Sequence, residues 1–308
     1  MKTTSKHPLI SKWLELLKER KYKTLSQQIY QFILSIVYKM ISHNGTKIMS
    51  EKWDYLIILD ACRYDVFEMV NDIPGRLEKR VSLGSSTLEW AKKNFTDYYE
   101  DVIYVSANPY ISHVEFDGFR GSDHFFKVIN VWDFGWSKEL NTVPPWEVYK
   151  AAIKARIKYL DKRLIIHFMQ PHAPWIGKIK LSGREIRLSY NNAVQWVRKG
   201  GIWEKVMDEL NISLRFVRRA YVENLKCVLK YVKKLVNQLD GTIVITADHG
   251  ECLGEHFLIE HPEGIYVREL VEVPWLVIDK PRRETAEEVR MLRRIRKLKE
   301  KLRTKINA

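Results

Sequence analysis

Long apolar runs are missing from this chain of 308 residues, and none reaches the ~18 residues that a membrane span requires. Glycine (14) and proline (10) are sparse, which excludes collagen-like and low-complexity composition. The three cysteines, Cys62, Cys227 and Cys252, are too few and too widely spaced for a disulfide scaffold and are expected as reduced thiols. The opening residues, MKTTSKHPLISKWLELLKERK, lack the compact apolar core and small-residue cleavage site of a secretion signal. What remains, 45% hydrophobic and 29% charged, is the composition of a globular protein with a sizeable core. These absences lead us to expect a soluble, cytoplasmic protein.

Charge balance is missing only at the ends. The chain carries a formal +14, with ten Lys/Arg against three Glu in residues 1–52 and eleven against four in residues 281–308. Each end is therefore +7, and the stretch between is neutral. A basic surface suits a polyanion, but basic ends around a balanced body argue against a dedicated nucleic-acid fold, and nucleic acid is not expected as a partner. Three segments follow: a basic helical segment over 1–50, a catalytic body over 51–280 and a basic helical tail over 281–308. In the first, Ile10, Trp13, Leu14 and Leu17, then Leu25, Ile29, Phe32/Ile33, Ile36/Val37 and Met40/Ile41, recur with a helical period. The tail repeats the pattern with Val289, Leu292, Ile295, Leu298, Leu302 and Ile306. Such helices either dock on the body or lie on an anionic membrane as a peripheral attachment to its inner face.

The body predicts an α/β fold with a mostly parallel central sheet and helices on both faces. Buried strands are expected at Tyr55–Leu59, Val102–Val105, Phe125–Ile129, Leu164–Phe168, Thr242–Thr246 and Trp275–Ile278. Helices are expected over Pro145–Tyr159 and Val206–Leu239. Segments 109–146 and 173–204 read as loop insertions whose tryptophans (132, 136, 146, 175, 196 and 203) either pack at the core edge or stack on a sugar or base.

Three clusters carry chemistry. In YLIILDACRYD (55–65) a strand runs out into Asp60, at the end of the sheet where such folds present ligands; an N-cap would use the same residue. In GSSTLEWAKKNFT (84–96) a Gly-Ser-Ser-Thr loop enters a helix, suited either to capping it or to holding a phosphate or sulfate with a hydroxyl nucleophile beside it. In TIVITADHGECLGEHFLIEHPEG (242–264) a strand delivers Asp248 and His249, followed by Glu251, Glu255, His256 and His261. Carboxylates with imidazoles suit Zn, Mn, Mg or Ca. A further strand, LIIHFMQPHAPW, brings His167 and His172 to the same sheet edge.

Together these motifs resemble the alkaline phosphatase superfamily, most closely its sulfatase-like archaeal members, over about residues 53–280. The order matches: strand–Asp, nucleophile loop, Asn-containing strand end, His-Pro-His-type loop, Asp-His-Gly. The D-H-G-E-x-L-G-E-H run at 248–256 is its most specific piece. Family members place a Thr-Gly pair nine and ten residues after the nucleophile; counted from Thr87 this falls on Thr96 and Asp97, which favours Thr87 over Ser85 and Ser86. The resemblance implies that Asp60, Thr87, Asp248 and His249 hold one divalent metal, with Thr87 as nucleophile. It implies that Asn108 and the Thr87 N–H hold the transferred group, and that His172 and His261 bind a second metal or protonate the leaving group. Arg63, His167 and His256 are the further candidates for contacting substrate. Two departures bear on the chemistry. The nucleophile stands in T-L-E-W-A, not the C-x-P-x-R context of formylglycine sulfatases, and Gln170 replaces the Asp of two-metal members, so one metal site is expected. The implied activity is hydrolysis or transfer of a phosphate ester or phosphodiester, glycan- or lipid-linked, through a covalent threonine. A sulfate-ester hydrolase of the same fold, or a vestigial-site basic protein that binds membrane or nucleic acid, are the alternatives.

Overall fold

The computed structural model describes residues 8–180 and 212–282. Two helices, α1 (Pro8–Lys18) and α2 (Tyr22–Met40), precede the body. Then come β1 (Tyr55–Leu59), α3 (Tyr64–Val70), β2 (Arg76–Val81), α4 (Thr87–Asn94), β3 (Tyr99–Ser106) and β4 (Phe125–Asn130). After α5 (Val131–Gly135), α6 (Pro145–Lys158) and β5 (Arg163–Phe168), the long α7 (Leu214–Gln238) leads into β6 (Gly241–Thr246). A short hairpin, β7 (Cys252–Leu253) and β8 (Ile259–Glu260), with α8 (Arg268–Val271) forms a lobe before the last strand, β9 (Glu272–Lys280).

Seven strands form one sheet in the order β2-β9-β6-β1-β5-β3-β4. β1 lies at its centre, parallel to β5 and β6, and β3 is parallel to β4 and β5. β9 runs antiparallel to both β6 and β2, so every other strand points the same way. The fold is thus the expected α/β sheet, mostly parallel and covered on both faces. Alternation along the strands explains the two cores. Ile57 and Leu59 of β1 face a core built with α3, α6 and α7, whereas Leu56 and Ile58 face one built with Trp90 and Ala91 of α4. Both sets are fully buried, as central parallel strands require.

β2 had no apolar signal because it is an edge strand, RLEKRV, whose charged side chains keep the edge from pairing with another chain. Within segment 109–146 the expected strand stands as β4 and the expected helix begins at Pro145 as α6; the short α5 between them was not expected, and its Trp132 is buried in the core. Trp175 is buried there too, which favours packing over ligand stacking at both positions. Ser213 caps α7, so the helix starts at Leu214. Residues 181–211, with Trp196, Trp203 and the start of the expected Val206–Leu239 helix, lie outside the described residues, as does the tail from residue 283.

The lobe is fastened to the end of β6 through Gly250, whose N–H donates to the Leu270 carbonyl at 2.7 Å. A Cβ at Gly250 would sit 2.0 Å from the Glu269 carbonyl oxygen, so only glycine permits this approach. Gly250→Ala is expected to lower the unfolding free energy by about 3 kcal/mol or more, the cost of overpacking against backbone. Chemical denaturation checks this, and unchanged stability would refute the close fit.

Candidate active site

The carboxyl ends of β1, β3, β5 and β6 converge on one crevice. Asp60 directly follows β1, and its N–H donates to the Phe168 carbonyl at 3.1 Å. The chain then turns sharply at Ala61, which takes a left-handed φ of 58°. Two partners from far along the sequence hold that turn. The Ala61 N–H donates to Asp248 Oδ1 (3.1 Å), and the Tyr221 hydroxyl of α7 donates to the Ala61 carbonyl (2.6 Å) while accepting from the Arg63 N–H (3.0 Å).

The Gly-Ser-Ser-Thr loop distinguishes its three hydroxyls by their partners. Gly84 packs against the backbone of Trp90, where a Cβ would come within 2.4 Å of its nitrogen. Ser85 Oγ accepts from the Gly264 N–H and lies within hydrogen-bond distance of two acceptors, Glu89 Oε2 (3.1 Å) and the Pro262 carbonyl (3.0 Å), that share its one proton, so it clips this loop to the chain after His261. Ser86 caps α4 by accepting from the Glu89 N–H. Thr87, the first residue of α4, turns its hydroxyl into the crevice and donates to Asp248 Oδ2 at 2.7 Å. His249 Nε2 lies 3.3 Å from Thr87 Oγ1 and 3.5 Å from Asp248 Oδ2. Asn108 Nδ2, just past β3, reaches both Asp60 Oδ2 (2.5 Å) and Thr87 Oγ1 (3.3 Å). The structure therefore brings Asp60, Thr87, Asn108, Asp248 and His249 together.

His167 joins them. Its Nε2 lies 3.7 Å from Asp60 Oδ2 and 3.7 Å from Asp248 Oδ2, and its Nδ1 meets the Tyr104 hydroxyl at 2.8 Å. Instead of facing substrate, as the sequence led us to expect, it is buried among the carboxylates. Asp60, His167 and Asp248 could share a cation, since one ligand atom from each lies within 4.8 Å of the others.

The electrostatics show why a cation fits. Burial, then the charge of Asp248, pushes the Asp60 carboxyl well above its usual range. Burial also acts on Asp248, but the imidazoles of His249 and His167 and the hydrogen bonds from Thr87 and Ala61 bring it below that range. Burial holds both His167 and His249 down to about 4, as neutral imidazoles. Among the described residues no Lys or Arg pairs with Asp60 or Asp248. His249 Nδ1 donates to the Gly250 carbonyl at 2.7 Å, which leaves the lone pair of Nε2 facing the carboxylates. His167 Nε2 is buried with no hydrogen-bond partner. Two facing carboxylates, an oriented imidazole and an orphaned ring nitrogen form a donor set that a divalent metal satisfies.

A second group adjoins the first. His172, Glu251 and His261 also place one ligand atom each within 4.8 Å of one another, and the His249 and His261 rings are 4.4 Å apart. His172 Nδ1 donates to the Ala173 carbonyl at 2.5 Å, and His261 Nδ1 donates to Glu251 Oε1 at 3.1 Å. Burial lowers the His261 pKa, but the charge and hydrogen bond of Glu251 outweigh it and raise it to about 9. Burial and the charge of His261 lower that of His172. Glu251 stood among the candidate carboxylates of this run but was assigned no role, because the Asp-His-Gly motif ends one residue earlier; its partner His261 lies ten residues on and is brought to it by the fold. Asn224 of α7 positions His172, donating to the carbonyls of Pro171 and His172 at 3.0 Å and accepting from the Ile176 N–H.

Two expected substrate contacts are placed elsewhere. The Arg63 guanidinium is engaged by Asp65 (2.9 and 2.7 Å) and by Glu255 (2.9 Å), so it ties the β1 turn to the lobe and has no fork left for an anion. His256 Nε2 pairs with Glu269 at 3.1 Å on the α8 side of the lobe. Cys62 and Cys252 are buried, and burial raises both thiol pKa values, against a role as nucleophile.

No family model and no curated protein matches the chain. Among solved structures it is similar to the soluble domain of lipooligosaccharide phosphoethanolamine transferase A from Neisseria meningitidis, at 11% identity over 72% of this chain and 75% of that one, with a TM-score of 0.46. It is also similar to the periplasmic domain of EptC from Escherichia coli in a complex with Zn (14% identity, 73% and 72% coverage, TM-score 0.47). A putative sulfatase from Bacteroides fragilis follows at 12% identity over 79% of this chain and 71% of that one, with a TM-score of 0.40. At these identities and TM-scores the likeness is one of general architecture, and what the site can do rests on this chain's own side chains.

Proposed function

We propose that the protein is a metal-dependent enzyme that hydrolyses or transfers a phosphate ester or phosphodiester through a covalent intermediate on Thr87. The observation that carries this reading is the Thr87 hydroxyl, 4% exposed and 2.7 Å from Asp248 Oδ2 within the set of Asp60, Asp248 and His249. A threonine hydroxyl is a weak nucleophile by itself, and it becomes an effective one where a neighbouring base or a bound metal lowers its pKa.

Asp60, Thr87, Asp248 and His249 would hold the metal, with His167 at its side; imidazole among the donors favours Zn or Mn over Mg or Ca. When bound, the metal lowers the pKa of the hydroxyl and neutralises charge on the transferred group. The remaining roles belong to the chain. Asp248 accepts the Thr87 proton along the existing hydrogen bond. The oxygen of Thr87 then bonds to phosphorus as the bond to the leaving oxygen breaks. Asn108 Nδ2, aimed between Asp60 and Thr87, donates to a non-bridging oxygen. His261, held protonated by Glu251, supplies a proton to the leaving oxygen, a role its raised pKa supports better than the lowered one of His172. Water or an acceptor hydroxyl then takes the phosphoryl group from Thr87. The substrate is an anionic ester, glycan- or lipid-linked. Attack on sulfur would use the same parts, but the residues after Thr87 (Leu88, Glu89, Trp90, Ala91) lack the C-x-P-x-R context, which supports phosphorus.

Thr87→Ala is expected to cut turnover by roughly 10³-fold or more, while Thr87→Ser retains part of it. Rates on matched aryl phosphate, phosphodiester and sulfate esters, with mass spectrometry of the Thr87 peptide, check this; full activity in Thr87→Ala would exclude the covalent step.

The metal is tested without turnover. Adding Zn or Mn to chelator-treated protein is expected to raise its melting temperature. Asp60→Asn removes one of two facing carboxylates at constant shape. It should leave the metal-free protein as stable or up to about 2 kcal/mol more stable, and abolish most of the metal response. An equal metal response in both proteins would remove Asp60 from the ligand set.

A further inference from the structure

The two N-terminal helices use one face of α2 for docking and leave another uncovered. Leu34 and Tyr38 of α2 pack on the lobe core of Cys252, Leu258, Ile265 and Leu270. Tyr30 meets Phe257 ring to edge at 6.1 Å, and Tyr38 meets Tyr266 at 5.6 Å. About a third of the way around the helix from these contacts runs a second apolar stripe. Ile29, Ile33, Ile36, Val37 and Met40 are all exposed, Met40 at 83%. On α1, Ile10, Leu14 and Leu17 are exposed at helical spacing as well. Trp13 of α1 packs edge-on against Phe32 of α2 at 5.5 Å, which joins the two stripes along their edges. A contiguous apolar surface of this kind marks an interaction site.

We infer that the α1–α2 hairpin is a membrane-interface platform that lies on an anionic lipid surface and holds the lobe that carries Glu251 and His261 beside it. Charge selects this occupant. Residues 8–41 carry six Lys/Arg against two Glu, and Lys18, Arg20, Lys21 and Lys39 are exposed around the stripe. That is the composition of a helix pair lying in a bilayer interface. A second copy of the hairpin, or the +7 segment 281–308, would instead bring like charge onto like charge. No helix among the described residues is long and apolar enough to cross a membrane, so the hairpin would lie on the surface.

The platform and the site share one structural unit. The lobe that receives Leu34 and Tyr38 also carries Glu251 and His261. Phe257, 69% exposed, stands between the hairpin and the strand that leads to His261. Tyr266 stacks on His43 at 3.8 Å and hydrogen-bonds Glu89, which in turn holds Ser85 of the nucleophile loop. A bilayer under the hairpin would thus supply an anionic ester carried by a lipid; this substrate source rests on the function proposed above, whereas the binding itself does not.

Flotation of the 308-residue chain with vesicles separates the two. Vesicles of phosphatidylcholine alone are compared with vesicles of phosphatidylcholine and phosphatidylglycerol in equal parts. The chain is expected to bind the anionic vesicles and to release as salt rises. Ile33→Asp combined with Val37→Asp should bind about tenfold more weakly or worse, because both positions face outward and would place charge in the acyl boundary. An unchanged melting temperature in that variant shows that the fold survives. Thr87→Ala should bind like the parent, so loss of turnover and loss of binding fail independently. The inference is overturned if the parent binds neither vesicle, if binding survives the double substitution, or if the parent is a dimer that the double substitution makes monomeric.

Discussion

Asp60 and Asp248 place two almost fully buried carboxylates at the ends of adjacent central strands, and much of the described site is arranged around them. Bringing two like charges out of water into one crevice is unfavourable unless something compensates. The compensation is partial: a hydroxyl, an amide, a backbone N–H and two neutral imidazoles, with no Lys or Arg in contact among the described residues. An ordinary salt bridge would have been the cheaper structural solution, and the chain builds several elsewhere, as between Arg163 and Asp101. Its absence at the centre of the sheet is what leaves a divalent cation as the natural complement of the two carboxylates.

Holding such a site open takes structure from the whole chain. Tyr221 and Asn224 lie one turn apart on α7, so one helix face reaches both the turn after Asp60 and the loop that carries His172. Both are buried polar side chains whose hydrogen bonds all go to backbone, which fixes the position of ligands they do not themselves touch. Arg63 works the same way through its ion pairs with Asp65 and Glu255. Ser85 and Glu89 join the loop that carries Thr87 to the chain after His261, so Thr87 and the His261 segment are tied to one another through Pro262 and Gly264.

How much of this was legible in the sequence follows from the range of the interactions. The central strands were readable because full burial on both faces demands runs such as YLIIL and TIVIT, and the ends of those runs mark where Asp60 and Asp248 emerge. The edge strand β2 was not, because its side chains are chosen to discourage pairing and so carry no apolar pattern. Arg63 and His256 misled for a related reason. Each is a cationic or titratable group next to a motif, and only the fold reveals that Arg63 has a carboxylate 192 positions away and His256 one on α8. His167 shows the converse: its strand position was visible, but its place between two carboxylates depends on β5 and β6 flanking β1, which is a matter of strand order and not of local pattern.

The division of charge along the chain gains a physical sense from the same geometry. A site built on buried carboxylates repels an anionic ester until a cation is present, and a body of balanced charge does little to draw such a substrate in. Among the described residues, basic residues on the N-terminal hairpin do not pair with Asp60 or Asp248 and so do not neutralise them. On a membrane, as proposed above, they would concentrate anionic lipid beside the lobe. On the proposed reading, basic residues on a separate helical unit, docked through Leu34 and Tyr38 on the lobe that bears His261, would draw in an anionic lipid surface while leaving the charge at the reacting centre to a bound metal.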